Sequence, residues 1–94
     1  MAEREKLVSG SPFTGNTSVA RVVDVCRARL VASGGSCSVE LRDGTGSPPV
    51  KLELDASVGA PDEYNPGVGI KLSFDESCEI TFTAGAGRLY LYET

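Results

Sequence analysis

Residues 37–55, which read CSVELRDGTGSPPVKLELD, decide the fold. Apolar and polar side chains alternate on both sides of a central run of Asp, Gly, Thr, Ser and Pro. A period of two places the apolar side chains on one face of a β-strand. The central run supplies a turn, because glycine adopts positive φ and Pro48-Pro49 cannot extend a hydrogen-bonded ladder. The stretch therefore predicts two antiparallel strands joined by a turn, with Leu41 and Val50 both facing the core.

Asp43, in the same turn, could instead belong to a ligand-binding loop. A phosphate loop of the form Gly-x4-Gly-Lys-Ser/Thr needs a lysine and a following helix, and neither pattern follows here. A calcium loop needs several carboxylates at spaced positions, whereas Asp43 stands alone. We therefore predict a turn. For Asp55, Asp62 and Glu63, in the long connection 55–69, a calcium site is the alternative to a solvated or partner-packed loop.

The alternation continues in four further segments, 19–32, 70–74, 78–83 and 88–92. Asp24 falls on the inward-facing parity of the first segment, which predicts a bulge or a strand start near Val25. Strict alternation in so many segments is typical of half-buried antiparallel strands. The sequence therefore predicts an all-β domain over residues 19–94, an antiparallel β-sandwich or jelly-roll-like fold of about six to eight strands.

Three turn-rich connections predict hairpins between these strands. Gly34-Gly35 fits a two-residue hairpin turn. Its register would place Leu30 opposite Val39 on the inner face and Arg29 opposite Glu40 as a favourable pair on the outer face. The runs 75–77 and 84–87 predict two further hairpins that keep the same inward face, the second with Phe82 opposite Leu89.

Residues 1–18 are polar and rich in turn-forming residues. Beyond the first two residues, only Leu7, Val8 and Phe13 are apolar, so the segment buries too little surface to fold alone. We predict an extended N-terminal arm, either flexible or ordered by a partner, with these three residues as anchors. The arm lacks the apolar stretch of a signal peptide, and no run in the chain approaches the ~20 apolar residues that span a bilayer. Membrane association is therefore not expected.

Charge and residue types exclude several functions. The net charge is −4 and no lysine or arginine cluster occurs, so nucleic acid is not an expected partner. With no histidine, Ser-His-Asp and Cys-His devices are excluded and the commonest metal ligand is missing. A paired-carboxylate glycosidase would need a cleft, for which so short a chain has little room. We expect no enzyme activity, no metal and no cofactor.

The three cysteines are predicted to be buried small apolar residues. Cys26, Cys37 and Cys78 are odd in number, and none has the spacing of a metal site. This usage fits a protein made and kept in a cytosol, or assembled there. A Cys37–Cys78 disulfide is the alternative.

Two sets of residues are candidate interface residues. Val23, Val25 and Val31 fall on the predicted outer face of their strand, which predicts a homo-oligomer, with a trimer favoured. Tyrosine is enriched at interfaces and common in strands, and it can stack on a sugar ring. The second set could therefore form an interface, bind carbohydrate or simply fill strand positions. It consists of Tyr64, at the tip of the long connection, and Tyr90 and Tyr92, which are predicted to point outward on the last strand.

The strand-rich part resembles small virion proteins of tailed bacteriophages. The resemblance lies in VVDVCRARLVASGGSCSVELRDGTGS (22–47), GVGIKLSF (67–74) and CEITFTAGAGRLYLYE (78–93). These segments run from a long strand through Gly-Gly to an Asp-Gly turn and end in alternating Leu and Tyr. The pattern is one of turns and alternation, so no site residue is carried over.

The resemblance implies a non-enzymatic virion protein assembled in the host cytoplasm. Head decoration, or cement, proteins of this kind bind the major capsid protein at capsomer junctions, often as trimers, and stabilise the head shell. A tail, baseplate or fibre component is the alternative within the same family. A small carbohydrate-binding module that uses the three tyrosines is an alternative of another class.

Overall fold

Strands β3 and β7 pair along most of their lengths and organise the protein. The structure is a computed structural model, and it describes residues 5–67 and 69–94. Over those residues the chain contains no helix, and all strand pairs are antiparallel. The prediction of an all-β antiparallel fold is confirmed. Seven strands occur in these ranges: β1 Lys6–Leu7, β2 Thr17–Val19, β3 Val23–Asp43, β4 Val50–Ser57, β5 Asp62–Tyr64, β6 Leu72–Phe74 and β7 Cys78–Glu93.

The β3–β7 ribbon divides into two layers. In the first layer, residues 23–32 of β3 pair with the end of β7 and, on the other side, with β5 and β6. In the second layer, residues 36–43 of β3 pair with the start of β7 and with β4. The pairing of β3 with β7 continues between the layers with register shifts near Gly34 and Ser38. The sheet is thus one continuous structure that bends between its two layers.

A single hydrophobic core lies between the two layers. Leu30 and Leu91 of the first layer and Leu41 and Ile80 of the second belong to one buried cluster. Phe74 is the largest of its fully buried side chains. Since residues of both layers share this core, their inner faces pack together in a β-sandwich-like arrangement.

The antiparallel pair predicted over 37–55 is confirmed as β3 and β4. The three hairpins predicted at 34–35, 75–77 and 84–87 are wrong, although their inward face is right. A hairpin at Gly34-Gly35 would pair Leu30 with Val39, but Leu30 pairs with Leu89 and Val39 pairs with Phe82. The runs 75–77 and 84–87 do not close hairpins either, because β6 pairs with β3 and β7 passes through its glycines without reversing. A bend and a reversal can leave the same alternation of side chains, so the pattern alone does not distinguish them.

Val50 does not face the core, contrary to prediction. Its exposed fraction is 37%. The register of β3 against β4 shifts at this point, from Leu41↔Leu52 to Arg42↔Val50. This irregularity takes Val50 off the core-facing side, while Leu54 and Ala56 further along β4 are buried.

Val23 and Val25 lie in the core and not on the outer face. They are 2% and 0% exposed, and Val31 is half-buried. The predicted bulge near Val25 is confirmed, because the pairing of β3 with β7 shifts between Val25 and Arg27. That shift changes which parity faces inward, so residues before it were assigned to the wrong face. The argument for a trimer from exposed valines therefore fails.

Residues 5–18 pack on the same chain. Val8 is 1% exposed and Phe13 is 8% exposed, and both belong to the core. Phe13 and Leu89 exchange two backbone hydrogen bonds of 2.8 Å, and β1 and β2 pair with β7. Of the three predicted anchors only Leu7 is exposed, so the expectation of an arm held by a partner is corrected here. Residues 1–4 lie outside the described residues.

Candidate interaction faces

The outer face of the first layer carries alternating arginines and tyrosines. Arg27 of β3 pairs with Tyr92 of β7, and Arg29 pairs with Tyr90. The Arg27 guanidinium carbon lies 4.0 Å from the centroid of the Tyr92 ring, a distance that permits a cation–π interaction. Both tyrosines are half-buried and point away from the core, as predicted. We call this surface the Arg–Tyr face: Arg27, Arg29, Val31, Arg88, Tyr90 and Tyr92.

Two glutamates border the Arg–Tyr face. Arg27 contacts Glu5 at 3.2 Å and Glu63 at 3.4 Å. Glu63 also lies 4.0 Å from Arg29, whose side chain is 45% exposed. Arg27 is therefore fixed by two carboxylates and a ring, whereas Arg29 has one long ion pair among the described residues.

Tyr64 lies apart from the other two tyrosines. It pairs with Ala28, a residue that faces the core, and its half-buried side chain packs against the hydrophobic cluster. The structure thus brings Tyr90 and Tyr92 together and leaves Tyr64 on the other face. A carbohydrate site built from all three tyrosines is not formed.

The outer face of the second layer is acidic. Glu40 of β3 lies directly opposite Glu53 of β4. Arg42 is the one cation of this group; its Nη1 lies 3.0 Å from Glu40 and its Nε donates to the Pro48 carbonyl oxygen. The predicted pair of Arg29 with Glu40 does not form, because the two residues belong to different layers. We call this surface the acidic face: Glu40, Arg42, Glu53, Asp55 and Glu79.

Glu79 is held in place by two hydroxyl groups. Ser18 Oγ donates to its Oε2 at 2.5 Å, and Ser77 Oγ donates to the same oxygen at 2.6 Å. These bonds lower the pKa of Glu79, since they favour the ionised carboxylate. The acidic face thus keeps this charge at neutral pH.

Asp43 fixes the loop between β6 and β7. Its Oδ1 accepts backbone N–H groups from Glu76 at 2.9 Å and Ser77 at 3.4 Å, and its Oδ2 accepts that of Asp75 at 3.0 Å. These bonds lower the pKa of Asp43, with Lys51 at 3.9 Å adding to the effect. The predicted role as a turn residue was incomplete, because nothing near Asp43 in the sequence indicates that loop 75–77 lies beside it.

Side chains also satisfy backbone groups at the strand edges. Asp62 Oδ2 accepts the N–H of Asp55 at 2.9 Å, and Lys51 Nζ donates to the Ser73 carbonyl oxygen. Asn16 Oδ1 accepts the N–H of Phe82 at 2.7 Å. The described part of the connection 55–69 therefore contains more strand structure than predicted, since β4 reaches Ser57 and β5 forms within it. These bonds join elements that are distant in sequence and protect edges that would otherwise be open to pairing.

The cysteines are buried thiols, as predicted. Cys26, Cys37 and Cys78 are free. Cys37 and Cys78 lie at opposite ends of the second layer, six positions apart along β3 in register, which is roughly 20 Å. A disulfide needs Cα atoms within about 7 Å, so the predicted alternative is not formed. Burial raises the pKa of each thiol, that of Cys78 to about 12.

Over residues 5–67 and 69–94, no three His, Cys, Asp or Glu side chains are placed to hold a metal ion together. In the same part of the chain, no helix is long and apolar enough to cross a membrane. Comparison with known proteins gives no further assignment. No family model, no curated protein and no solved structure matches this chain.

Proposed function

We propose that this chain is a structural protein that acts by binding another protein, without chemistry of its own. The proposal rests on the surroundings of one thiol, that of Cys78, and of two carboxylates, those of Asp43 and Glu79. Burial keeps the Cys78 thiol protonated, with a pKa of about 12, and thiolate is the reactive form. Asp43 and Glu79 have lowered pKa values because backbone or hydroxyl donors bind their carboxylates. These groups stabilise the fold, which is the opposite of the poised acids and bases of a catalytic site.

We further propose that the partner is the shell of a phage head, so that the protein decorates and stabilises the capsid. The resemblance of residues 22–93 to small virion proteins supports this partner. Side-chain hydrogen bonds to backbone groups at the strand edges would also stabilise a small protein that is exposed on the outside of a particle. In this proposal the protein is a homo-oligomer that contacts the major capsid protein in the virion.

Head and tail fractions of the virion test the location. Virions from the genome that encodes this chain are disrupted, heads and tails are separated on a gradient, and the chain is quantified by mass spectrometry. Decoration predicts that the chain follows the major capsid protein at a fixed ratio. Recovery with the tails would instead support the tail, baseplate or fibre alternative.

Binding to empty heads tests the stabilising role. Heads that lack the protein are incubated with increasing amounts of purified chain, and bound protein is measured by cosedimentation. We expect saturation at a fixed ratio to the capsid protein and a higher temperature of shell disruption. Heads that bind the chain without saturation, or that gain no thermal resistance, would contradict decoration.

A further inference from the structure

We propose that the Arg–Tyr face of one copy binds the acidic face of a second copy of this chain. The inference concerns contact between copies and stands whether or not the partner is a phage head. It starts from the segregation of charge between the two layers. The first layer shows three arginines, with Glu5 and Glu63 at their border and Asp24 further along β3, while the second shows four carboxylates and one arginine. The two faces are complementary in charge within one sequence.

The acidic face contains an unfavourable contact that a partner would relieve. Glu40 and Glu53 are direct cross-strand neighbours on the outer face, and like charges in this position destabilise a sheet. Arg42 compensates one side, at 3.0 Å from Glu40. Glu53 is exposed and has no ion pair among the described residues. A guanidinium from another molecule placed between the two carboxylates would remove the repulsion.

The Arg–Tyr face supplies a guanidinium suited to this position. Arg29 is 45% exposed, and its ion pair with Glu63 is 4.0 Å long. Tyr90 stands beside it in register, and Tyr92 is already ordered by Arg27. Arginine and tyrosine are the residue types that most often dominate binding energy at interfaces. The face therefore combines an exposed guanidinium, held by a single long ion pair among the described residues, with preordered aromatic surface.

The position of the two faces determines the kind of assembly. Both layers pack their inner faces on one core, so their outer faces point away from each other. A contact between different faces is heterologous, and each copy can use both of its faces at once. Copies would then join head to tail into a ring or an open stack.

Charge reversal on each face tests the contact. We would measure sedimentation velocity of the wild type, Arg29→Glu and Glu53→Arg over a concentration series at low and physiological salt. We expect the wild type to associate, more strongly at low salt. Each variant should associate at least about tenfold more weakly, because it brings like charges together. Circular dichroism should show that both variants fold.

An equimolar mixture of the two variants gives the sharpest result. The intact Arg–Tyr face of Glu53→Arg can still bind the intact acidic face of Arg29→Glu, so the mixture should form complexes that neither variant forms alone. Glu76→Arg, an equal charge change on an exposed loop residue outside both faces, should associate like the wild type. A monomeric wild type at low salt would overturn the proposal. So would association that both variants retain, or a mixture that stays monomeric.

Discussion

At the scale of single residues, Asp43 shows how a turn residue becomes a tertiary contact. Its carboxylate accepts three backbone N–H groups of loop 75–77. The bonds from Glu76 and Asp75 lower its pKa from the ordinary value of 3.8. A carboxylate with a lowered native pKa stabilises the fold fully above its unfolded pKa, and this stabilisation is lost as pH falls through the native value. Asp43 should therefore contribute at neutral pH and not in strong acid.

The first prediction is that Asp43→Asn lowers the midpoint of urea unfolding at pH 7. The amide keeps only one acceptor oxygen, and its NH₂ group would face a backbone N–H donor. At least one of the three bonds is therefore lost. The difference from the wild type should shrink as pH falls below 3.8 and vanish once the wild-type carboxylate is protonated. Tryptophan is absent, so tyrosine fluorescence or circular dichroism is the probe.

Asp75→Asn is the matched control, because it removes the same charge from the loop that Asp43 binds. Its side chain accepts no bond from that loop in the structure, and its backbone N–H remains available to Asp43. We expect a small change that lacks the pH dependence of Asp43→Asn. Equal effects of both substitutions at all pH values would show that net charge, and not the three bonds, accounts for the stabilisation.

At the scale of elements, the bend between the two layers depends on glycine in β7. Gly85 has φ of +68°, and a Cβ there would overlap the Ser36 carbonyl oxygen. At Gly87 a Cβ would lie 2.5 Å from the Val31 oxygen and 2.9 Å from Cys37 Sγ. The two glycines let the backbone of β7 lie close against that of β3 at the point where the ribbon passes from one layer to the other. No side chain fits between the strands at either position without a shift.

The second prediction is that Gly85→Ala destabilises the protein strongly. A non-glycine residue at positive φ costs on the order of 1–3 kcal/mol, and the overlap with Ser36 adds to that. We expect a lower midpoint in chemical denaturation with circular dichroism as readout. Gly34→Ala is the control, since its φ is not positive and a Cβ there meets no atom within 4 Å. If the two alanine variants unfold at the same denaturant concentration, the close approach at Gly85 does not support the bend.

Alternation predicted many of the core-facing residues and the antiparallel pair of β3 with β4, but not the other strand partners. Leu30, Val39 and Leu89 were assigned to the inward face correctly, and each has 0% exposure. Their partners were wrong, because Gly34-Gly35 supports a hairpin and a bend equally well in local terms. The bulge after Val25 was located from the parity of Asp24, yet its effect on Val23 and Val25 required the observed register. Which strands pair depends on how much apolar surface the whole fold buries, and a local sequence pattern carries no information about that total.

For the candidate faces too, the sequence predicted the direction of the side chains but not their neighbours across the sheet. Tyr90 and Tyr92 were predicted to point outward, and they do. Their pairing with Arg29 and Arg27 depends on the β3–β7 register and could not be read from the hairpin arrangement. In that arrangement Arg29 would have neutralised Glu40. Because the strands instead separate these residues into two layers, Arg29 lies 4.0 Å from Glu63 on one face and Glu40 lies 3.0 Å from Arg42 on the other.

At the scale of the whole molecule, the N-terminal segment completes a small core. A domain of this size buries only about 60–65% of the surface that its unfolded chain exposes, so each large buried side chain matters. Val8 and Phe13 lie in the core, and the backbone of Phe13 bonds Leu89 in both directions. Val8 N–H also donates to the Leu91 carbonyl oxygen at 2.8 Å. The segment thus covers the edge of β7 and fills the space beneath it.

The last prediction is that this segment stabilises the isolated protein. Phe13→Ala removes a buried aromatic ring and should cost about 3–5 kcal/mol, measured by urea unfolding. Leu7→Ala is the control, because Leu7 is 47% exposed and exposed substitutions change stability by about 0.5 kcal/mol or less. Deletion of residues 1–13 should lower the unfolding midpoint further than Phe13→Ala, since it also exposes the β7 edge and removes Val8. If the truncated chain unfolds cooperatively at the wild-type midpoint, the segment does not support the core, and an arm ordered only by a partner becomes the better description.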